Sequence, residues 1–429
     1  MKKADFVVAG CRQLLAGGRR APLRQEELGR VEVLENAWIA ACGGRIVFVG
    51  SEAEFKAEVE PADGATRLDG AGLVALPGFV DAHTHLPFAG DRAEEFSLRL
   101  KGWSYLQLAE KGLGIKTTVR ATRRATLEEL TAACLERLDR MLLHGTTTAE
   151  AKSGYGLNLA DEIKQLEAVR IAGLVHPVEL VPTFMGAHDV PPEYLSAKED
   201  YIDLLVHEIM PEVRRRNLAR FFDVFCEKGV YSLAETERLV QAAKAAGFGI
   251  KIHSDEFVPL GGTELAAEVG AASAEHLIAV TDAGIRALAG SGTVAVLLPG
   301  VPFFLRLAAK PPARRMIEAG AIVALASDFN PGTSMTESML FVLQLGVFTL
   351  GLSIEEALNA ATLNGACAIR MQDEVGSLAP GKKMDVVLCD MPGYEYLAYH
   401  LGVNPVRHVV KNGRIVVKDG RPAYSSTAL

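Results

Sequence analysis

The chain has no C-x-x-C pair: its six cysteines, Cys11, Cys42, Cys134, Cys226, Cys367 and Cys389, are scattered. That spacing excludes a zinc ribbon or a disulfide frame and fits reduced thiols in a cytoplasm. No block of lysine and arginine occurs, and the formal charge is −8, so nucleic acid is not expected as a main partner. Long apolar runs are missing too. The most apolar later segment, TVAVLLPGVPFFLRLAA, is interrupted by Pro299, Gly300, Pro302 and Arg306, whereas about 20 clean residues are needed to span a bilayer. Near the N-terminus, Asp5 and Arg12 bracket too short an apolar stretch for a secretory signal. A cytoplasmic protein with no membrane partner is therefore expected. Finally, no G-x-G-x-x-G follows the first strand of the central region, which weighs against an open, doubly wound nucleotide-binding sheet.

What is present has two textures. At both ends lie short β-like runs with glycine turns: ADFVVAG, AWIAACGGRIVFVG and ATRLDGAGLVALPG at one, VGSLAPGKKMDVVLCD and VRHVVKNGRIVVKDG at the other. The segments GGRIVFVG and NGRIVVKDG are close in pattern, and Asn412-Gly413 reads as a hairpin turn. The two ends are expected to form one small β-sandwich domain, from residues 1–72 and 375–429. The middle, 73–374, alternates strand-like runs with helical ones. FVDAHTH, GTTTAEAKSGYG, VELVPTFMGAHD, FFDVFCEKG, FGIKIHSDEF, ASAEHL, TVAVLLPG and IVALASDFNPG all end in polar clusters. Between two of them, LEELTAACLERLDRMLLHG has apolar residues at near-helical spacing and Gly145 as a stop. Eight such units predict an α/β fold of the (β/α)8, TIM-barrel type.

The polar clusters then acquire a location. Residues i and i+2 of a strand face the same side, roughly 7 Å apart, and barrel active sites sit at the mouth where strands end. His83 and His85 close the first strand, His253 the fifth, His276 the sixth and Asp328 the eighth. Three imidazoles and a carboxylate suit a borderline divalent ion such as zinc, iron or manganese. An ion held by His83, His85, His253 and Asp328, with water as a fifth ligand, would activate that water and polarise a carbonyl.

PGFVDAHTH, the lone histidines after strands five and six and the aspartate after strand eight resemble the amidohydrolase superfamily over essentially the whole chain. The resemblance implies a metal-dependent hydrolase on a (β/α)8 barrel. Binuclear members carry a carboxylated lysine at the end of strand four. Here Cys226 and Glu227 precede Lys228, which falls beyond the apolar run, so one divalent ion per subunit, zinc or iron, is expected. The loops FAGDRAEEF, KSGYGL, GAHDVP, HSDEF and SDFNPGTS resemble one branch of that superfamily, which opens the ring of 4-imidazolone-5-propanoate to give N-formimidoyl-L-glutamate in histidine degradation. The family also implies a homodimer.

The residues agree with such a substrate. A propionate tail needs a cation, and Arg92 could clamp it through two hydrogen bonds. Tyr155, in a glycine-flanked loop, can donate to a carboxylate or to the ring. His188 is either a further ligand or a neutral hydrogen-bond partner, and the resemblance implies substrate binding. Asn330, Gly332 and Thr333 form a Pro-Gly turn whose N–H groups and hydroxyl suit a carboxylate or a heterocycle edge. Glu256 is the expected carboxylate at the ring nitrogen or the attacking water, His276 could orient the water or stabilise the oxyanion, Asp328 could take the proton of the water, and the sequence does not rank the three as the proton shuttle. Two rival readings are an aminohydrolase that deaminates a small heterocycle on the same metal set, and a non-catalytic barrel that has lost its metal; the latter would be expected to lack these histidines.

Overall fold

A computed structural model describes residues 1–17, 21–103, 107 and 111–424. Residues 425–429, placed from sequence in the small β domain, lie outside them. The chain begins with β1 (Lys2–Leu15), β2 (Val33–Cys42), β3 (Arg45–Gly50), β4 (Val59–Asp69) and β5 (Val74–Pro77). There follow eight barrel strands: β6 (Phe79–Asp81), β7 (Thr146–Lys152), β8 (Glu179–Ala187), β9 (Phe221–Cys226), β10 (Gly249–Ser254), β11 (Ser273–His276), β12 (Val294–Leu297) and β13 (Ile322–Leu325). The chain ends in β14 (Val386–Cys389), β15 (Val406–Lys411), β16 (Arg414–Lys418) and β17 (Arg421–Pro422).

The terminal strands hydrogen-bond into one nine-stranded mixed sheet, in which β14 pairs with β5 and so joins the two ends of the chain. Apolar side chains alternate along β1: Phe6 and Val8 pack in one cluster, Ala4, Val7 and Ala9 in another, as a strand covered on both faces requires. Asn412 and Gly413, at φ 50° and 70°, make the two-residue hairpin turn between β15 and β16. The similar Gly43-Gly44 turn between β2 and β3 packs against it. A Cβ on Gly44, at φ +79°, would meet the Asn412 carbonyl oxygen at 2.8 Å.

Gly78 is the joint between sheet and barrel. Its N–H donates to the Asp385 carbonyl at 3.0 Å, and a Cβ there would strike Thr147 Oγ1 at 2.2 Å. Beyond it, β6 to β13 form a parallel sheet in chain order. The first and last strands close on each other through side chains and a bridge. Ser327 donates its N–H and hydroxyl to the two oxygens of buried Asp81, at 3.0 and 2.5 Å, and Thr84 bridges Phe329. The helix at Leu127–Leu143 starts at a Thr126/Glu129 capping box and that at Leu233–Ala245 at a Ser232/Glu235 box, each satisfying N-terminal N–H groups. Among the described residues no helix is long and apolar enough to cross a membrane.

Candidate active site

His83 and His85 follow β6 rather than end it, two and four residues past Asp81. Their common direction is set by Thr84 between them. Its carbonyl accepts the Lys152 N–H at 2.9 Å, and its hydroxyl donates to the Glu150 carbonyl at 2.6 Å. Both imidazoles thus reach Asp328, with His83 Nε2 and His85 Nε2 at 3.4 and 3.5 Å from Asp328 Oδ1. His253 Nε2 lies 3.4 Å from His85 Nε2. His276 joins His83 and His253 in a second group whose donor atoms lie within 4.8 Å of one another. Asp328 and His276 hold φ of 49° and 72°, a region sparsely used by non-glycine residues and enriched at functional sites.

This cluster fits a metal ion. Among the described residues, His83 Nδ1 and Nε2, His85 Nδ1, His276 Nδ1 and Asp328 Oδ1 are buried without a protein hydrogen-bond partner. Each such atom costs about 1–3 kcal/mol; others are scattered through the protein, but here they fall together on neighbouring imidazoles and a carboxylate. Ligands about 2.0–2.1 Å from a tetrahedral centre stand roughly 3.3–3.4 Å apart, close to the three separations above. Burial first, then neighbouring positive charge, holds His83 well below its ordinary pKa; burial first likewise depresses His85 and His276. They are therefore neutral, the state a metal ligand needs. Burial pushes Asp328 up to about 7, a strain that a bound cation relieves.

Around the centre stand the other sequence-predicted residues. The His188 ring stacks on His85 at 4.8 Å, with Nδ1 3.1 Å from the Gly154 carbonyl. Tyr155 is buried against both, its ring 5.8 Å from His85 and 5.2 Å from His188. Glu256 Oε2 lies 3.7 Å from His276 Nδ1. Burial, followed by the charges of Asp328 and Glu227, raises the Glu256 carboxyl well above its usual range. Neighbouring Asp255 instead accepts from Leu260 N–H and the Thr263 hydroxyl and ties its own loop.

Two expectations change in detail. The Asn330-Pro-Gly-Thr turn does not offer its N–H groups outward, because Asn330 Oδ1 accepts both Gly332 N–H and Thr333 N–H, at 2.8 and 2.9 Å. The Thr333 hydroxyl accepts from Asn330 Nδ2 at 2.8 Å. Arg92 is already paired. Glu95, three residues on, accepts from Arg92 Nε and Nη2 at 2.8 and 2.5 Å. Its remaining nitrogen, Nη1, packs so closely on Gly332 that a Cβ there would lie 2.1 Å away. Gly332 is thus in place because the guanidinium fills the space of a side chain. Lys228 is exposed beyond β9, as expected for a loop lysine.

A buried charged layer was not anticipated. Lys152 Nζ lies 2.8 Å from Glu150 Oε2 and 2.6 Å from Asp223 Oδ2; Lys251 Nζ lies 2.9 Å from Glu150 Oε2 and 2.9 Å from the Ala82 carbonyl. Asp223 Oδ1 faces His253 Nδ1 at 3.0 Å. A signal was present: Glu150 and Lys152, like Lys251 and His253, are two residues apart and share a face.

The barrel and its cluster of imidazoles and a carboxylate define a class, and the comparisons agree. The model of the amidohydrolase family matches residues 74–283 and 309–416, and the chain belongs to that family, whose members are metal-dependent hydrolases. Within it, the imidazolonepropionase of Symbiobacterium thermophilum is 51% identical over 424 residues, 98% of this chain and 99% of that protein. That of Alkaliphilus oremlandii is 46% identical over 399 residues, covering 93% and 94%. Among solved structures, a zinc-bound adenosine deaminase from Xanthomonas campestris superposes with a TM-score of 0.72 over 99% of this chain and 95% of that one. At 19% identity that likeness speaks for the fold alone.

Proposed function

We propose that the chain is an imidazolonepropionase, hydrolysing 4-imidazolone-5-propanoate to N-formimidoyl-L-glutamate in histidine degradation. The observation that carries this reading is the meeting of His83, His85 and Asp328, which His253 joins through His85, with polar atoms of His83, His85 and Asp328 unpartnered among the described residues, in a chain with near-full-length imidazolonepropionase relatives. Those four residues would hold one divalent ion, zinc or iron, since both accept imidazole and carboxylate. Such an ion supplies Lewis acidity and brings the pKa of a coordinated water toward neutrality.

The chain's own residues do the rest. Arg92, whose Nε and Nη2 already pair with Glu95, has Nη1 left to meet the propionate. Tyr155 and His188 form one wall for the ring, and the Asn330–Thr333 turn, packed on Arg92 at Gly332, forms another. Water adds through oxygen to the ring amide carbonyl carbon while a carboxylate, Asp328, takes its proton. The carbon–nitrogen bond then breaks and the nitrogen must gain a proton. Glu256 suits that donation because its surroundings favour the protonated carboxyl, and neutral His276, 3.7 Å away, relays the proton taken up by Asp328 back to it, accepting on one ring nitrogen and releasing from the other. By family resemblance the enzyme is a cytoplasmic homodimer.

The test is product analysis with the purified protein and 4-imidazolone-5-propanoate. N-formimidoyl-L-glutamate is the expected product, without ammonia. Ammonia release from small heterocycles with no ring opening of the imidazolone would favour an aminohydrolase instead.

A further inference from the structure

His253 can present Nε2 to the centre because its other nitrogen is taken. Asp223 Oδ1 lies 3.0 Å from Nδ1, and a carboxylate facing an imidazole nitrogen places the proton on that nitrogen. Asp223 is itself fully buried, and its second oxygen meets Lys152 Nζ at 2.6 Å. Lys152 is fully buried on the last position of β7. The chain of contacts therefore runs Lys152, Asp223, His253 Nδ1, with His253 Nε2 beside His85 at its far end. The ammonium also has a second consequence. Asp223, His253 and Glu275 bring donor atoms within 4.8 Å of one another, so Asp223 is close enough to compete as a ligand. Lys152 meets Oδ2, and His253 Nδ1 lies 3.0 Å from both oxygens, so both are engaged.

A packing role alone does not account for ions at this depth. Beside them, Val294 and Val296 of β12 and Ile322 and Ala324 of β13 fill the barrel with apolar side chains. Burying an ion carries an effective penalty of several kcal/mol, so an apolar filling would be the easier one under His253 as well.

We propose that Lys152 is a positioning residue for the metal site: by clamping Asp223 it fixes His253 with Nε2 toward the centre and withholds Asp223 from the ion. This inference rests on the metal-site reading above. Its test uses the intact chain stripped of metal, with Lys152→Met, Asp223→Asn and the double variant, and zinc ion alone as the probe in chelator competition. Loss of such an outer partner typically weakens metal binding about 10–100-fold. Lys152→Met is expected to fall in that range, and the double variant to bind no more weakly than Asp223→Asn. The double variant should also be more stable than Lys152→Met, because it leaves no unpaired buried carboxylate. In the metal-free protein, the imidazole 15N resonances of His253 should shift from a fixed Nδ1–H tautomer in the parent to a mixture in Lys152→Met. Parent-like affinity with an unchanged His253 spectrum, or losses that multiply in the double variant, would overturn the proposal. Should Lys152→Met not fold, the double variant decides: affinity equal to Asp223→Asn supports the chain of contacts, and a further loss refutes it. A parent protein that binds no zinc would sink the metal reading itself, and the inference with it.

Discussion

Lys152, Lys251, Glu150 and Asp223 are as deeply buried as His83, His85, His276 and Asp328, yet the two sets meet their surroundings in opposite ways. In the lower layer the charged groups are largely paired: two ammonium groups face Glu150, Asp223 is held from both sides, and Glu275 beside Lys251 leaves one oxygen over. At the rim, polar nitrogens and an oxygen are left without any partner among the described residues. Depth is the same and residue chemistry similar; what differs is completion. A buried network whose charges are paired holds geometry, while unpartnered polar atoms call for another group to meet them.

Substitutions should separate the two layers, and the largest effect is expected at the rim. His253→Asn should lower imidazolone turnover by about 10³-fold or more, the scale of losing several kcal/mol of metal-derived stabilisation, while the metal-free protein keeps its fold by circular dichroism. In the lower layer, Lys251→Met should instead cost about 3–5 kcal/mol in urea denaturation, as when one partner of a buried pair is removed. If it proved as stable as the parent, the lower layer would not be a finished network. Glu256→Gln, which borders the rim, should reduce kcat about 10²-fold, the lower range for losing a general acid, with zinc content unchanged. Zinc at 100 times its Kd should stabilise the metal-free parent by about 2.7 kcal/mol, seen as a rise in Tm; the same addition should do little for His253→Asn. The smallest effect concerns the substrate wall. Arg92→Lys, which cannot keep the two-point contact with Glu95, should raise KM about tenfold, or roughly 1.4 kcal/mol, with kcat nearly intact.

The rim was legible because its residues interrupt the sequence. His83, His253, His276 and Asp328 each stand where an apolar run stops, and eight such stops in order imply a barrel mouth. The Asn412-Gly413 hairpin was legible from local turn chemistry. The lower layer was not, because TTTAEAK and GIKIHS read as the ordinary alternation of a half-exposed strand. Only closure of the barrel, through Asp81 and Ser327 246 residues apart, turns that alternate face inward. The engagement of Arg92 by Glu95 depends on a helix beginning at Ala93, and that of Gly332 on Arg92 folding over it; neither follows from the spacing of the motif.

The central claim is that His83, His85, His253 and Asp328 enclose one divalent ion. Anomalous diffraction from crystals of the zinc- or iron-loaded protein tests it most directly. A single peak among these four side chains is the predicted result. No peak there, a second one alongside it, or one at Asp223 and Glu275 instead would contradict the account.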